Sequence, residues 1–189
     1  MPNWCTTTYK CVGDLKEVKS LYKVLKYIDE CKSSIVGNDF GKWWLGNLVV
    51  KLGGDWENYP CRGEITNYSL EDNVLTICQE TAWCEQEGVR EIIEEKFPSI
   101  KVYFLEEESG CCVFSTNDDS GLFFRKKYRV EIPNEICYFE TIEELAELIS
   151  EIVGREIPPS MKDLEKAIDD YLENNVDDYI NIYELSLVA

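Results

Sequence analysis

From Asn3 to Gly13 polar and apolar residues alternate around Thr6, Thr7 and Thr8, a pattern that predicts a half-buried strand. Asp14 is placed to cap the next element. Leu15, Val18, Leu21, Tyr22, Leu25 and Ile28 then recur at helical spacing, so a helix is expected to about Cys31. Residues 32–60 break the pattern with Gly, Trp and Asn, although Trp44, Leu45, Leu48, Val49 and Leu52 keep helical spacing up to the stop at Gly53-Gly54. Cys61 to Leu70 and Val74 to Glu80 read as strands joined by the turn Glu71-Asp72-Asn73. A helix from Glu87 to Phe97 ends at Pro98, and Ile100 to Leu105 is the next strand.

The resulting order, β-α-(insert)-β-β-α-β, is that of a split βαβ unit, and predicts an α+β chain with a ferredoxin-like antiparallel sheet. Residues 111–116 and 122–132, separated by Asn117 to Gly121, are expected to add a β-hairpin to that sheet. Pro133-Asn134 marks the expected boundary, giving a domain over 1–133 with an insertion at 32–60. After it, Thr141-Ile142-Glu143-Glu144 forms a capping box for a helix with an apolar stripe through Ile142, Leu145, Leu148, Ile149 and Ile152. Ser160 can cap a second helix after Pro158-Pro159, and Tyr179 to Val188 resembles a final strand. Residues 134–189 therefore read as an acidic helix-helix-strand appendage, packed on the first domain or forming a small subdomain.

Charge sharpens this division. The 189 residues carry a net charge of −18, and residues 134–189 hold 15 acidic and 3 basic side chains against 22 and 16 before them. Nucleic-acid affinity depends on Lys and Arg displacing counterions, so direct nucleic-acid binding is not expected. The RRM-like stacking position also fails, since Asn73 to Glu80 contains no aromatic residue. Apolar runs are far shorter than the ~18–20 residues of a membrane span, and the start Met1-Pro2-Asn3-Trp4-Cys5 lacks the basic flank and apolar run of a secretory signal. The chain is read as cytoplasmic.

Histidine is absent, which removes the usual Ser-His-Asp and Cys-His hydrolases and His-ligated metal chemistry. The nine cysteines contain no C-x-x-C pair, so they read as reduced small hydrophobes, with Cys84, Cys111 and Cys112 the less obviously buried ones. No cofactor is implied and no retained zinc is expected.

Met1-Pro2-Asn3-Trp4-Cys5-Thr6, Phe40-Gly41-Lys42, Trp44-Leu45-Gly46, Leu52-Gly53-Gly54-Asp55-Trp56 and Cys61-Arg62-Gly63 together resemble YubB-type ferredoxin-like proteins of plasmids, phages and gut-bacterial mobile elements. Glu80-Thr81-Ala82-Trp83, Phe97-Pro98-Ser99, Glu107-Glu108-Ser109-Gly110 and Thr116-Asn117-Asp118 extend the resemblance to about residue 130. Relatives continue Thr-Ala-Trp with Ser-Pro, where this chain has Cys84-Glu85. The resemblance implies the same fold and no established biochemical role.

Two sets of candidate site residues emerge. Trp4, Arg62, Glu64, Glu80 and Trp83 fall on strands expected to be neighbours and could form a ligand or partner pocket, with Trp faces for stacking and Arg62 for an anion. The structural alternative has the tryptophans packing and Arg62 paired to Glu64 or Glu80. Glu143, Glu147 and Glu151 recur every four residues, about 6 Å apart along one helix face, and Asp170, Glu173 and Asp177 could extend that acidic face. Glu106-Glu107-Glu108 with Asp118-Asp119 offers oxygens for a cation, without EF-hand spacing. The preferred reading is a non-enzymatic interaction protein of a mobile element that recognises another protein. The alternatives are an acidic DNA mimic that inhibits a basic DNA-binding protein, and a carboxylate enzyme using Glu80 and Glu107. Oligomeric state is left open.

Overall fold

The structure is a computed structural model that describes residues 3–37 and 39–188, so Met1 and Pro2 of the opening motif lie outside the described residues. It is a mixed α+β chain in two compact units. One runs to Asp119 and includes Val188; the other spans Ser120–Leu187.

The first unit contains β1 (Trp4–Val12), α1 (Leu15–Glu30), α2 (Leu45–Leu52), β2 (Gly63–Glu71), β3 (Val74–Ala82), α3 (Glu87–Lys96), β4 (Lys101–Glu108) and β5 (Val113–Thr116). These strands are ordered β2-β3-β1-β4-β5, with antiparallel pairing throughout. Alternation along β1 sends Cys5, Thr7, Tyr9 and Cys11 inward, while Trp4 and Thr6 stay exposed. Tyr9 and Cys11 of that row meet Val18, Leu21, Leu25 and Ile28 of α1, Leu48 and Val49 of α2, and Val89 and Ile93 of α3 in one core. Burying each such aliphatic side chain contributes roughly 1.5–3 kcal/mol, which is why the helical stripes dock on this face. Asp72 and Asn73 both take left-handed backbone angles, φ 46° and 66°, and close the β2–β3 hairpin as expected from their chemistry. Asp14 stands before α1 but makes no side-chain cap hydrogen bond.

The second unit contains β6 (Tyr128–Ile132), β7 (Glu135–Phe139), α4 (Ile142–Val153), α5 (Met161–Leu172) and β8 (Asn181–Glu184), with strand order β7-β6-β8. Thr141 accepts a hydrogen bond from the Glu144 N–H at 3.3 Å, and the Glu144 carboxylate accepts one from the Glu140 N–H at 2.8 Å. Ser160 caps α5 through the Asp163 N–H. Val130, Leu145, Ile149, Leu164, Ile168 and Ile180 form a core of their own.

Two expectations need correction. Residues 122–132 do not pair with 111–116. Instead Val130 is fully buried beneath the helical stripes, and β6 is the middle strand of the second sheet. Pro133-Asn134 is consequently not a boundary but the tight turn between β6 and β7, with Asn134 at φ 68°. The division falls at Ser120, so Arg125, Lys126, Lys127 and Arg129 join the second unit and its charge balance becomes 16 acidic to 7 basic. No helix among the described residues is long and apolar enough to cross a membrane.

Candidate functional site

The segment between α1 and β2 helps to form a concavity in the first unit. It is tied to the sheet by backbone: Trp44 bridges Glu64, and the Ile65 N–H donates to the Trp43 carbonyl at 2.9 Å. The buried Asn47 organises the preceding loop. Its Oδ1 accepts from the Ser34 hydroxyl and the Val36 N–H, and its Nδ2 donates to the carbonyls of Gly41 and Lys42, all within 2.9–3.0 Å. With its carbonyl and both amide protons used, this side chain stabilises the loop that carries Phe40.

The result is a cavity of about 790 Å³ lined by Trp4, Phe40, Trp44, Trp56, Tyr59, Pro60 and Cys61, with Glu57, Arg62 and Glu64 among its charged neighbours. Trp44 is part of this lining and is itself nearly buried. The Phe40 ring sits 5.2 Å away, tilted by 41°, and the Trp56 ring 5.3 Å away, edge-on at 70°. Such offset and edge contacts hold the rings apart as walls rather than collapsing them into one stack. Phe40 and Trp4 are 65% and 53% exposed, so large apolar surfaces face open space.

Behind this wall, Gln86 is buried and fixes the backbone. Its Oε1 accepts from the Arg62 N–H at 2.8 Å, while its Nε2 donates to the carbonyls of Ala82 and Cys84. Beside it lies a buried polar cluster. The Tyr9 hydroxyl donates to the Glu85 carboxylate, the Arg90 Nε donates to the same oxygen at 3.3 Å, and the Glu85 N–H donates to Glu106 at 2.6 Å. Ser115 donates to the other Glu106 oxygen. Burial raises Glu85 above the ordinary carboxylate range, opposed by Tyr9 and Arg90; Tyr9 is pushed well above the usual phenol range by burial and by Glu85. Gln79 is also buried, and neither end of its amide has a hydrogen-bond partner among the described residues.

The structure brings Trp4, Arg62 and Glu64 to the cavity but leaves Glu80 and Trp83 outside its lining. Trp83 follows β3 with φ 76° and a half-exposed ring. Glu80 is exposed on the open sheet face, directly opposite Glu64. Arg62 pairs with neither glutamate: no ion pair within 4 Å involves Arg62, Glu64 or Glu80 among the described residues. Phe40, Trp44, Trp56, Tyr59 and Asn47 were not among the expected site residues. The available signal was the density of aromatics within the irregular 32–60 segment.

Glu80 and Glu107 share a sheet face, but Thr6 of β1 stands between them in register. Two strand spacings put their backbones about 10 Å apart, with the Thr6 side chain between the two carboxylates on that face. The acidic run in β4 is split by strand alternation, with Glu106 and Glu108 inward and Glu107 outward. Glu108 instead accepts from the N–H groups of Gly110 and Cys111, bracing a turn. No group of three or more His, Cys, Asp or Glu suited to a metal occurs among the described residues. Burial and then the charges of Glu106 and Glu85 push the Cys84 thiol up; a hydrogen bond to Glu108 does so for Cys111. Both shifts reduce thiolate character.

In the second unit Glu143, Glu147 and Glu151 line a shallow groove of about 500 Å³ with Arg155 and Glu156. Asp170 reaches Arg155 at 3.3 Å, so a cation interrupts the expected acidic row. Glu173 stands at the end of α5 and Asp177 in the following turn.

No protein-family model matches the chain, and no curated protein matches it in sequence. A crystal structure of an unknown protein from Galdieria sulphuraria covers 98% of this chain and 100% of its own, at 8% identity and a TM-score of 0.24, a likeness too low to carry an argument.

Proposed function

We propose that this chain is a non-enzymatic binding protein that receives an apolar or aromatic group of a partner protein in the Trp44 cavity. The observation that carries the reading is the pairing of a nearly buried Trp44 floor with widely exposed Trp4 and Phe40. Recognition sites commonly combine such apolar walls with a few charged groups, here Arg62 and Glu64. The buried carboxylates Glu85 and Glu106 lie outside the lining and are engaged by Tyr9, Arg90, Ser115 and backbone, which favours support over catalysis. The strand order β2-β3-β1-β4 supports a ferredoxin-like reading of the first unit, in keeping with the YubB-type resemblance and a cytoplasmic mobile-element protein.

The test uses protein labelled with fluorotryptophan, whose five indoles give separate NMR signals. Titration with apolar and aromatic peptides is expected to move Trp4, Trp44 and Trp56 while Trp43 and Trp83 stay fixed. Peptides that move only Trp43 or Trp83, or none, would remove the cavity from consideration.

The acidic groove keeps the DNA-mimic reading as the second one, because Glu143, Glu147 and Glu151 are all exposed along a single concave surface. A basic DNA-binding protein held there would dissociate steeply as salt rises, and replacing the three glutamates by Gln would abolish binding. Equal binding by the triple variant would end that reading.

A further inference from the structure

We infer that the occupant of the Trp44 cavity carries an organic cation, an alkylated ammonium head on an apolar body. This inference rests on the binding reading above and names the chemistry of its ligand.

The cavity is walled by aromatic faces. Trp, Tyr and Phe rings attract cations through their quadrupole, with Trp the strongest, and the cavity gathers Trp4, Trp44, Trp56 and Phe40 within one space. The same segment already uses this interaction internally: Lys42 lies 5.1 Å from the Trp43 ring centre and Lys51 lies 3.5 Å from that of Tyr27. Neither lysine belongs to the cavity lining.

The cavity's charge balance is negative. The lining holds Glu57 and Glu64 against Arg62, and Glu80 stands directly across the ladder from Glu64. Like charges in opposed positions cost sheet stability, and neither glutamate is offset by an ion pair among the described residues. An incoming cation relieves that repulsion. An anion drawn to Arg62 meets two carboxylates for one guanidinium, inside a chain of net charge −18.

The experiment compares three ligands of nearly one shape on the fluorotryptophan-labelled full chain: choline, its neutral carbon isostere 3,3-dimethylbutanol, and the anion 3,3-dimethylbutanoate. Choline is expected to perturb Trp4, Trp44 and Trp56 and to bind about tenfold tighter than the neutral isostere. Glu64→Gln and Trp4→Ala, both at exposed positions, should each reduce that preference while leaving the far-UV spectrum unchanged. A capped peptide carrying one trimethyllysine distinguishes the source. Binding tighter than choline is expected of a cation carried on the partner protein's side chain, and weaker binding overturns the partner protein as its source. Equal binding of choline and dimethylbutanol, or tighter binding of the anion that Arg62→Gln abolishes, overturns the cation and leaves the cavity as a binding site. If aromatic peptides bind but choline and the trimethyllysine peptide do not, the cation alone is again overturned. If none of these ligands moves the three indoles, the cavity reading falls with it.

Discussion

The Tyr9 hydroxyl donates its hydrogen bond to the Glu85 carboxylate, and both groups are withdrawn from solvent. The phenol comes from the middle of β1 and the carboxylate from the turn after β3, so this contact joins the sheet to the approach to α3. Tyr9→Phe leaves Glu85 with Arg90 as its remaining side-chain donor. A buried acceptor stripped of one donor costs about 1–3 kcal/mol, and the variant should lose that much in urea unfolding. The control is Tyr68→Phe, whose hydroxyl reaches Asp29 at 3.3 Å in an exposed setting and whose loss should cost far less. Equal losses would mean that the Tyr9 bond has no special weight.

Glu85 also sets a direction for pH dependence. Its neighbours are Tyr9, Arg90 and Glu106, and burial raises its folded-state value above the 4.5 of an unperturbed side chain. Between those two values the folded chain holds more protons than the unfolded one, so stability falls as pH rises. The contribution is complete below 4.5 and is lost as pH rises through the folded value. The stability of the wild type relative to Glu85→Gln should therefore decline as pH rises above 4.5, measured by urea unfolding at each pH. A difference that stays constant or rises contradicts this assignment.

Gln79 occupies an inward position on β3 opposite Thr7, with its amide unpartnered among the described residues. An unsatisfied buried amide costs roughly 1–3 kcal/mol, whereas an apolar side chain of similar length carries no such penalty. Gln79→Met should be neutral or stabilising in thermal unfolding. Destabilisation beyond about 2 kcal/mol would show that the amide is satisfied, for instance by internal water.

Gly46 lies in the first turn of α2, where an added Cβ would run into the Trp44 ring. Exchanging Gly for Ala in a helix ordinarily gains about 0.5–1 kcal/mol, but overpacking costs about 1–3 kcal/mol, so displacement of the ring should dominate. Gly46→Ala should lower stability, alter near-UV circular dichroism and weaken ligand binding at the cavity. A more stable variant with unchanged ligand binding would mean that Trp44 can shift without affecting the site.

The order of strands and helices in the first unit was legible in the chain because each inward face repeats with its own period. Cys5, Thr7, Tyr9 and Cys11 alternate, and Val18, Leu21, Leu25 and Ile28 keep helical spacing; burial of those positions is a local consequence of the repeat. Asp72-Asn73 and Thr141 were legible for the same reason, since turn and cap chemistry acts over a few residues. Pairing partners are not local. Nothing within 122–132 distinguishes a strand that joins β5 from one that lies between β7 and β8, and only the stripes of α4 and α5 closing over Val130 decide it. The cavity belongs to the same class. Trp4, Arg62 and Glu64 were recognisable as candidates, but Phe40, Trp44 and Trp56 became its walls through the Trp44–Glu64 bridge and the four hydrogen bonds of Asn47, which fold an irregular segment back on β2. Composition and period determined what each stretch would be. Contacts between residues distant in sequence, whose energies depend on burial and geometry, decided what they enclose.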